Sequence, residues 1–237
     1  ASARWGGGKR IWIKRDDLTG SALTGNKVRK LEFIAAHAQA EGLTTLVTCG
    51  GVQSNHCRAT ALVAAQLGLH CHVVLRADDD SVSTTGNFLL DQLAGASFEI
   101  LPSAQWGQGV TEAFGRAEAA CLKARRPALL IPTGGSDSLG IWGYIAAAEE
   151  LRGDLTKAGI DRATVALATG SAGTQTGLTA GAVLHELPVS VVGYAVCDDS
   201  NWFNSRISAD WRASVARWPQ LPDIALAPIT RDHSVGP

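Results

Sequence analysis

The chain has 237 residues, of which 46% are hydrophobic and 18% charged, so it is long enough to bury a core in one large domain or two modest ones. Its formal net charge is −1 and it contains no basic run, which makes nucleic acid and anionic membrane surfaces poor candidates for partners. No apolar run is long enough to span a bilayer, and a small neutral or zwitterionic ligand suits this charge balance better.

Strand-like and helix-like segments alternate along the chain. Apolar residues recur at three-to-four spacing on three predicted helix faces, which are Val28, Leu31, Ile34, Ala35 and Ala38, then Ala61, Ala64, Ala65 and Gly68, then Tyr144, Ala147, Ala148 and Leu151. Short β-rich runs bounded by turn residues lie at Ile11–Lys14, Thr45–Thr48, His72–Leu75, Ser97–Leu101, Ala128–Ile131, Thr164–Ala168 and Val189–Val196. This alternation predicts an α/β protein with open, mostly parallel sheets covered by helices.

The first candidate site is the segment Leu23–Glu32, in which a loop containing Gly25 leads into an amphipathic helix. Lys27 falls in the first turn of this helix, where the macrodipole is positive and a cation gains no stability. Such a position suits an amine that must react in its neutral form, as in the formation of a Schiff base. The alternative is that Lys27, Arg29 and Lys30 form an ordinary solvated helix face.

The second candidate site is the segment Cys49–Arg58, where a strand ends in two glycines and a helix begins near Ser54 or Asn55. The start of a helix at the carboxyl end of a parallel strand presents free N–H groups to a cleft. A substrate carboxylate could be held there, with Ser54 placed for proton transfer. The alternative is that Ser54 or Asn55 is only a helix N-cap.

The third candidate site is the small-residue loop within Ala168–Gly177, which connects a predicted strand to a predicted helix. Its backbone can approach phosphate oxygens closely, and Ser171 and Thr174 add hydroxyl donors. The loop lacks the Gly-Lys-Ser/Thr end of a P-loop and does not fit the G-x-G-x-x-G dinucleotide fingerprint. It is interpreted as a phosphate-binding loop, the alternative being a tight strand-to-helix turn.

Other potential sites carry less information. The Pro132–Gly140 stretch is a further strand-to-helix turn, and the segment His70–His72 has no carboxylate close by, so we predict no metal site. The five cysteines are odd in number and no pair has CxxC spacing, which predicts a reducing compartment, the cytoplasm, rather than a disulfide framework or a zinc site.

Several segments, taken in chain order, match one known family over nearly the whole chain. They are Ile13–Leu18, Gly25–Glu32, Gly50–Ala61, Gly134–Ser136, Trp142–Tyr144, 170–174 and Val196–Asp199. With these segments the chain resembles the fold-type II pyridoxal-phosphate enzymes, in the branch that holds D-cysteine desulfhydrase and 1-aminocyclopropane-1-carboxylate (ACC) deaminase. The resemblance implies a two-domain, tryptophan synthase β-like α/β fold with the cofactor in the cleft, a smaller domain at 44–138, a larger domain at 1–43 and 139–237, and a homodimer.

The resemblance also assigns roles to residues of this sequence. Lys27 would carry pyridoxal phosphate as a Schiff base, Lys30 would help to hold the phosphate, and Asn55 would bond the pyridine hydroxyl. The phosphate would be wrapped by Gly170, Ser171, Ala172, Gly173 and Thr174, and substrate would be bound by Gln53, Ser54, Asn55 and His56. Ala172 replaces a glycine of the family's usual loop, and its methyl group would crowd the phosphate if a positive φ is required there.

The implied reaction is loss of the α-proton and of a β-substituent from a small amino acid, with the cofactor as electron sink. The segment from His56 to Ala61 and the segment Val196–Asp199 are more similar to the desulfhydrases, so D-cysteine is the expected substrate, giving pyruvate, sulfide and ammonia. The alternatives are ACC ring opening to 2-oxobutyrate and ammonia, a non-catalytic protein that binds pyridoxal phosphate or an amino acid, and a phosphate-binding domain without the cofactor. Lys27 or Ser54 could be the base.

The chain contains no Met and no closing element after its last strand-like run. We therefore expect the natural protein to extend beyond both ends. The family's remaining active-site residues, an aromatic near the cofactor ring and a Tyr followed by Thr or Glu near the ring nitrogen, would then follow Pro237.

Overall fold

The computed structural model describes residues 2–5, 7–78 and 82–232. The helices are α1 (Ser2–Trp5), α2 (Asn26–Ala40), α3 (Asn55–Leu67), α4 (Gly86–Leu93), α5 (Trp106–Lys123), α6 (Trp142–Lys157), α7 (Gly173–Leu184) and α8 (Ser200–Arg217). The strands are β1 (Thr45–Gly51), β2 (His70–Arg76), β3 (Ser97–Leu101), β4 (Ala128–Ile131), β5 (Ala163–Thr169), β6 (Val189–Ala195) and β7 (Ile229–Asp232). The prediction of an α/β protein with parallel sheets is confirmed.

The first sheet has the strand order β3-β2-β1-β4, and all of its pairs are parallel. Thr45 of β1 pairs with His70 on one side and with Ala128 on the other. The first six residues of β1 are buried, as expected for a central parallel strand with helices on both faces. This sheet falls within the predicted smaller domain.

The second sheet has the order β5-β6-β7 and is also parallel. Ala163 pairs with Val189, and Val192 pairs with Ile229. The turns that leave β1, β4 and β5 lie at the carboxyl ends of their strands, where open α/β sheets place their ligands. The predicted domain division at 44–138 stays a prediction.

Helix α2 packs against elements on both sides of the molecule. Leu31, Ile34 and Ala38 lie in the same buried apolar cluster as residues of the first sheet. On another side, α2 meets α6 so closely that a side chain on Gly143 would touch backbone atoms of Arg29 and Lys30. Arg29 also donates two hydrogen bonds of 2.8 and 2.9 Å to Glu150 of α6. A single helix thereby joins the two halves of the fold.

Two predictions about local structure are wrong. Ile11–Lys14 is not a strand, because no strand pairs with it in the described ranges and its side chains project into solvent, with Trp12 62% exposed. On α3, Ala65 and Gly68 are exposed, whereas Ala61 and Ala64 are fully buried. Ala65 follows Ala64 by about 100° around the helix, which takes it out of the buried stripe.

Other elements match the predicted pattern or were missed by it. Tyr144, Ala147 and Ala148 are buried on α6, as the periodicity predicts. Strand β7 was not predicted. Over the described residues, no helix has both the length and the apolar character that crossing a membrane requires, and no group of three or more His, Cys, Asp and Glu side chains is arranged to bind a metal ion.

Candidate active site

A cavity of about 290 Å³ lies between the start of α2 and the turns that follow β1, β4 and β5. Its lining comprises Asn26, Lys27, Ser54, Asn55, His56, Thr133, Gly134, Ala168, Thr169, Gly170, Ser171, Ala172 and Thr174. The three segments singled out in the sequence, around Lys27, Ser54 and Ser171, are therefore brought together in one place.

Lys27 is the second residue of α2, as its sequence context predicts. The preceding Gly25 has a φ of 96°, a conformation that glycine adopts without the strain of a side chain. Burial lowers the pKa of the Lys27 ammonium, because a low-dielectric environment disfavours the charged form. Lys27 Nζ donates to Asn26 Oδ1 at 3.3 Å, so the amine has a neutral hydrogen-bond partner and no carboxylate partner in the part of the chain that the structure describes.

Lys30 is fully buried and lies behind the cavity rather than in its lining. Its Nζ donates to Gly134 O and to Ser136 Oγ, both at 3.0 Å. Burial and the nearby Lys27 hold the pKa of Lys30 well below its usual value. The hydrogen bond to Ser136 therefore connects Lys30 to the cavity indirectly.

Ser136 connects Lys30 to the loop 170–174, the predicted phosphate-binding loop. Its Oγ accepts from Lys30 Nζ and from Gly173 N at 3.2 Å, and it donates to Ser171 Oγ at 2.9 Å. Since a hydroxyl has two acceptor positions and one proton, this set leaves the Ser171 proton free to donate elsewhere. Ser171 lines the cavity, so its O–H is available to an anion there.

The loop 170–172 leads directly into α7, whose first turn carries no acidic residue. Free N–H groups and the positive end of the helix dipole favour an anion at such a start. Gly134 faces the loop from the turn after β4 with a φ of 69°, and a side chain on it would come within 3.1 Å of Ser171 Cβ and 3.6 Å of Lys27 Cε. The absence of a side chain at Gly134 keeps the cavity open.

Ala172 has a φ of 64° and a ψ of −40°, so this position does adopt the positive φ that favours glycine. Its Cβ belongs to the apolar cluster that contains Ile141 and Phe203, and the residue is 2% exposed. The methyl group therefore adds apolar contact in the core and costs backbone strain in the loop.

The turn after β1 places Ser54 and Asn55 in the cavity lining but not Gln53. Ser54 Oγ caps α3 by accepting from the backbone N–H groups of His56 and Cys57, both at 3.2 Å. Gln53 instead contacts the start of α4, where its Nε2 donates to Thr85 O at 3.1 Å. The N-cap role of Ser54 is thus present together with exposure to the cavity.

His56 is 3% exposed and held in one tautomer by Thr48. The Thr48 hydroxyl donates to Ile131 O at 3.0 Å, so its oxygen accepts from His56 Nε2 at 2.8 Å. The remaining nitrogen, Nδ1, is then an unprotonated acceptor, and it has no hydrogen-bond partner among the described residues. Burial, with Lys27 and Lys30 nearby, lowers the pKa of His56 well below its usual value, which favours the neutral ring.

The donor set fits the cofactor that the sequence resemblance implies. Pyridoxal phosphate is an aldehyde that carries a phosphate group, so it requires a neutral amine and an anion-binding site within one cavity. The desolvated Lys27 amine and the start of α7 with Ser171 supply these two features. Sequence reasoning gave no site role to Asn26, Thr133 or Ser136; of these, Asn26 and Ser136 lie in segments that carry the resemblance and Thr133 does not.

Comparisons with known proteins identify the family of this chain. A family model described as pyridoxal-phosphate dependent enzyme matches residues 2–221. The chain is 41% identical over 203 residues to the mitochondrial bifunctional D-cysteine desulfhydrase/1-aminocyclopropane-1-carboxylate deaminase of Arabidopsis thaliana, and 42% identical over 179 residues to the D-cysteine desulfhydrase of Serratia proteamaculans. These matches cover 83% and 73% of this chain but 51% and 53% of the relatives, so the chain spans about half of their length.

The fold resembles a solved structure of the same branch. The crystal structure of an ACC deaminase homologue superposes with a TM-score of 0.82 at 30% identity, covering 94% of this chain and 66% of that one.

Proposed function

The chain belongs to the pyridoxal-phosphate-dependent enzymes, and we propose that it catalyses β-elimination and deamination of a small amino acid, converting D-cysteine to pyruvate, sulfide and ammonia. The observation that carries the proposal is the convergence of the desolvated Lys27 amine and the anion-binding start of α7 on one cavity. The names of the Arabidopsis and Serratia relatives support the choice of D-cysteine.

Each proposed role follows from a contact in the cavity. Lys27 would hold the cofactor covalently, because its buried amine favours the neutral form. Ser171 and the backbone N–H groups of α7 that follow Gly173 would hold the phosphate. When bound, pyridoxal phosphate supplies the electron sink for the pair of electrons that the α-proton leaves behind.

The proton at the α-carbon would be moved by Lys27 Nζ or by Ser54 Oγ. Ser54 Oγ already accepts two backbone N–H bonds from the first turn of α3, which stabilise negative charge on that oxygen. The same helix start favours the carboxylate of an amino-acid substrate. Ser54 would thus act at the α-carbon while α3 orients the substrate.

ACC ring opening to 2-oxobutyrate is the second candidate. It is favoured by the bifunctional name of the Arabidopsis relative and by the ACC deaminase homologue that superposes on the fold. Both reactions use the same cofactor and the same lysine, so only the substrate distinguishes them.

The test compares purified wild type with Lys27→Ala and with Lys123→Ala, a lysine exposed at the end of α5. Reduction with sodium borohydride followed by peptide mass mapping should locate the cofactor on Lys27 in wild type and in the Lys123 control. The Lys27 variant should carry no attached cofactor and should release no pyruvate from D-cysteine. If Lys27→Ala still attached the cofactor elsewhere at full turnover, the assignment would be wrong.

A panel with D-cysteine, L-cysteine and ACC identifies the substrate. Pyruvate with sulfide from D-cysteine alone supports the desulfhydrase, whereas 2-oxobutyrate from ACC supports the deaminase. Attached cofactor without turnover of any of the three would favour a binding protein instead.

The two-domain division, a homodimer and a location in the cytoplasm are likewise proposed. The family resemblance supports the domain division and the homodimer. The free state of all five cysteines, of which Cys49, Cys57 and Cys71 are buried, supports the cytoplasm. Light scattering of the full-length protein tests the homodimer directly.

A further inference from the structure

Asn87, the second residue of α4, contacts the turn that carries Ser54 and Asn55. Its Nδ2 donates to Gln53 O at 2.7 Å and to Asn55 Oδ1 at 3.0 Å. Its Oδ1 accepts from Arg58 Nη1 at 3.2 Å. Asn87 itself lies outside the cavity lining.

These partners determine the orientation of the Asn87 side-chain amide. The guanidinium of Arg58 can only donate and the carbonyl of Gln53 can only accept. Asn87 must therefore turn its oxygen to Arg58 and its nitrogen to Gln53. The two contacts give the same answer independently of how the oxygen and nitrogen atoms were assigned.

The orientation of Asn87 then determines that of Asn55. The second N–H of Asn87 requires an acceptor, so Asn55 must face it with Oδ1. The other end of the Asn55 amide, its Nδ2, carries two donors. Since Asn55 lines the cavity, its side chain is left to offer a donor there and not a carbonyl oxygen.

We propose that Asn87 is a positioning residue that holds the Asn55 amide so that it presents an N–H donor to the ring oxygen of bound pyridoxal phosphate. The proposal rests on the role of Asn55 in the proposed function. Arg58 anchors the arrangement, since its Nη2 also donates to Thr24 O at 3.0 Å, just before the helix of Lys27. The same side chains thus connect the Asn55 turn to the Lys27 segment.

The test uses an isosteric variant, Asn87→Asp, and a truncated variant, Asn87→Ala. Gln92→Glu is the control for added negative charge on the same helix. An aspartate at position 87 can only accept, so it loses the bond to Gln53 O and favours the Asn55 orientation that turns Nδ2 to it and presents Oδ1 to the cavity. Alanine removes the constraint without reversing it. Apo-protein is titrated with pyridoxal phosphate and with 3-deoxypyridoxal phosphate, which lacks the ring oxygen.

We expect the affinity for pyridoxal phosphate to fall about 10- to 100-fold in Asn87→Asp, the range for losing one hydrogen bond to a charged acceptor. The loss in Asn87→Ala should be smaller, and Gln92→Glu should bind like wild type. The affinity for the 3-deoxy cofactor should be the same in all four proteins. This dependence on one ligand oxygen is not expected if Asn87 only supports the fold.

Equal losses for both cofactors would overturn the proposal, because added charge or disturbed packing acts on both alike. A larger loss in Asn87→Ala than in the isosteric Asn87→Asp would overturn it as well. If the aspartate variant does not fold, the ratio of the two affinities in Asn87→Ala decides alone. Failure of wild type to bind pyridoxal phosphate would refute the proposed function rather than the role of Asn87.

Discussion

The close contact between α2 and α6 predicts that a side chain at Gly143 destabilises the protein. In Gly143→Ala the new Cβ would lie 2.7 Å from Lys30 N and still closer to the carbonyl group of Arg29, where about 3.5 Å is comfortable. These are backbone atoms and cannot rotate away. Overpacking of this kind costs about 1–3 kcal/mol, and the higher helix propensity of alanine offsets at most about 1 kcal/mol of it.

The matched control is Gly153→Ala on the same helix, where a Cβ would meet nothing within 4 Å. Here only the helix propensity acts, so the variant should gain about 0.5–1 kcal/mol in the free energy of unfolding. The same substitution, ten residues apart on α6, should therefore have opposite signs at the two positions. The two variants should differ by about 2 kcal/mol.

Urea unfolding of the apo-protein, followed by circular dichroism, measures both free energies. Gly143→Ala should also bind pyridoxal phosphate more weakly, because α2 carries Lys27 and must move away from α6. If Gly143→Ala were as stable as Gly153→Ala, with an unchanged dependence on urea, the close approach of α2 and α6 would be refuted.

Three further predictions concern buried groups. Burial raises the pKa of Asp91 to about 7 despite the nearby Arg58, so the folded state holds a proton that the unfolded chain releases above about pH 4. The free energy of unfolding should therefore fall by about 1.4 kcal/mol per pH unit from pH 4 to 7 and level off above. Asp91→Asn should lose this slope, and parallel pH profiles for wild type and variant would contradict the prediction. Ala172→Gly should change the free energy of unfolding by less than about 1 kcal/mol, since the relief of backbone strain and the loss of the buried methyl group nearly cancel. Ala172→Val should lower it by about 2 kcal/mol or more in urea unfolding, and equal stability of the two variants would disprove the strain. Lys30→Met should weaken calorimetric binding of inorganic phosphate about 10-fold, because Ser136 Oγ loses the donor that orients it towards Ser171, and unchanged binding would exclude that path.

Much of the fold could be predicted from the sequence because its strands are short apolar runs between clear turn signals. The predicted Ile11–Lys14 strand is wrong because alternation of residue types does not say whether a neighbouring strand is available to pair with. Strand β7 was missed because Ile229–Asp232 is short, follows Pro228 and is mostly polar.

The location of the candidate site was predictable where its residues are near in sequence, as in the Lys27 segment and the loop 170–174, both of which contribute to the cavity lining. Asn87 was not predictable, because its contact with Asn55 depends on how α4 packs against the start of α3, 32 residues away. The role of Gly143 was not predictable either. In the sequence, a glycine inside a helix only lowers helix propensity, and the need for it becomes visible only when α2 is packed against α6.

The position of α2 has a consequence for the thermal unfolding of the protein. One helix contributes to the apolar core of the first sheet and contacts α6 beside the second, so both halves depend on the same helix. Heating should therefore produce a single cooperative heat-capacity peak rather than two successive ones. The lysine at the start of that helix then keeps its environment up to the temperature at which the whole protein unfolds.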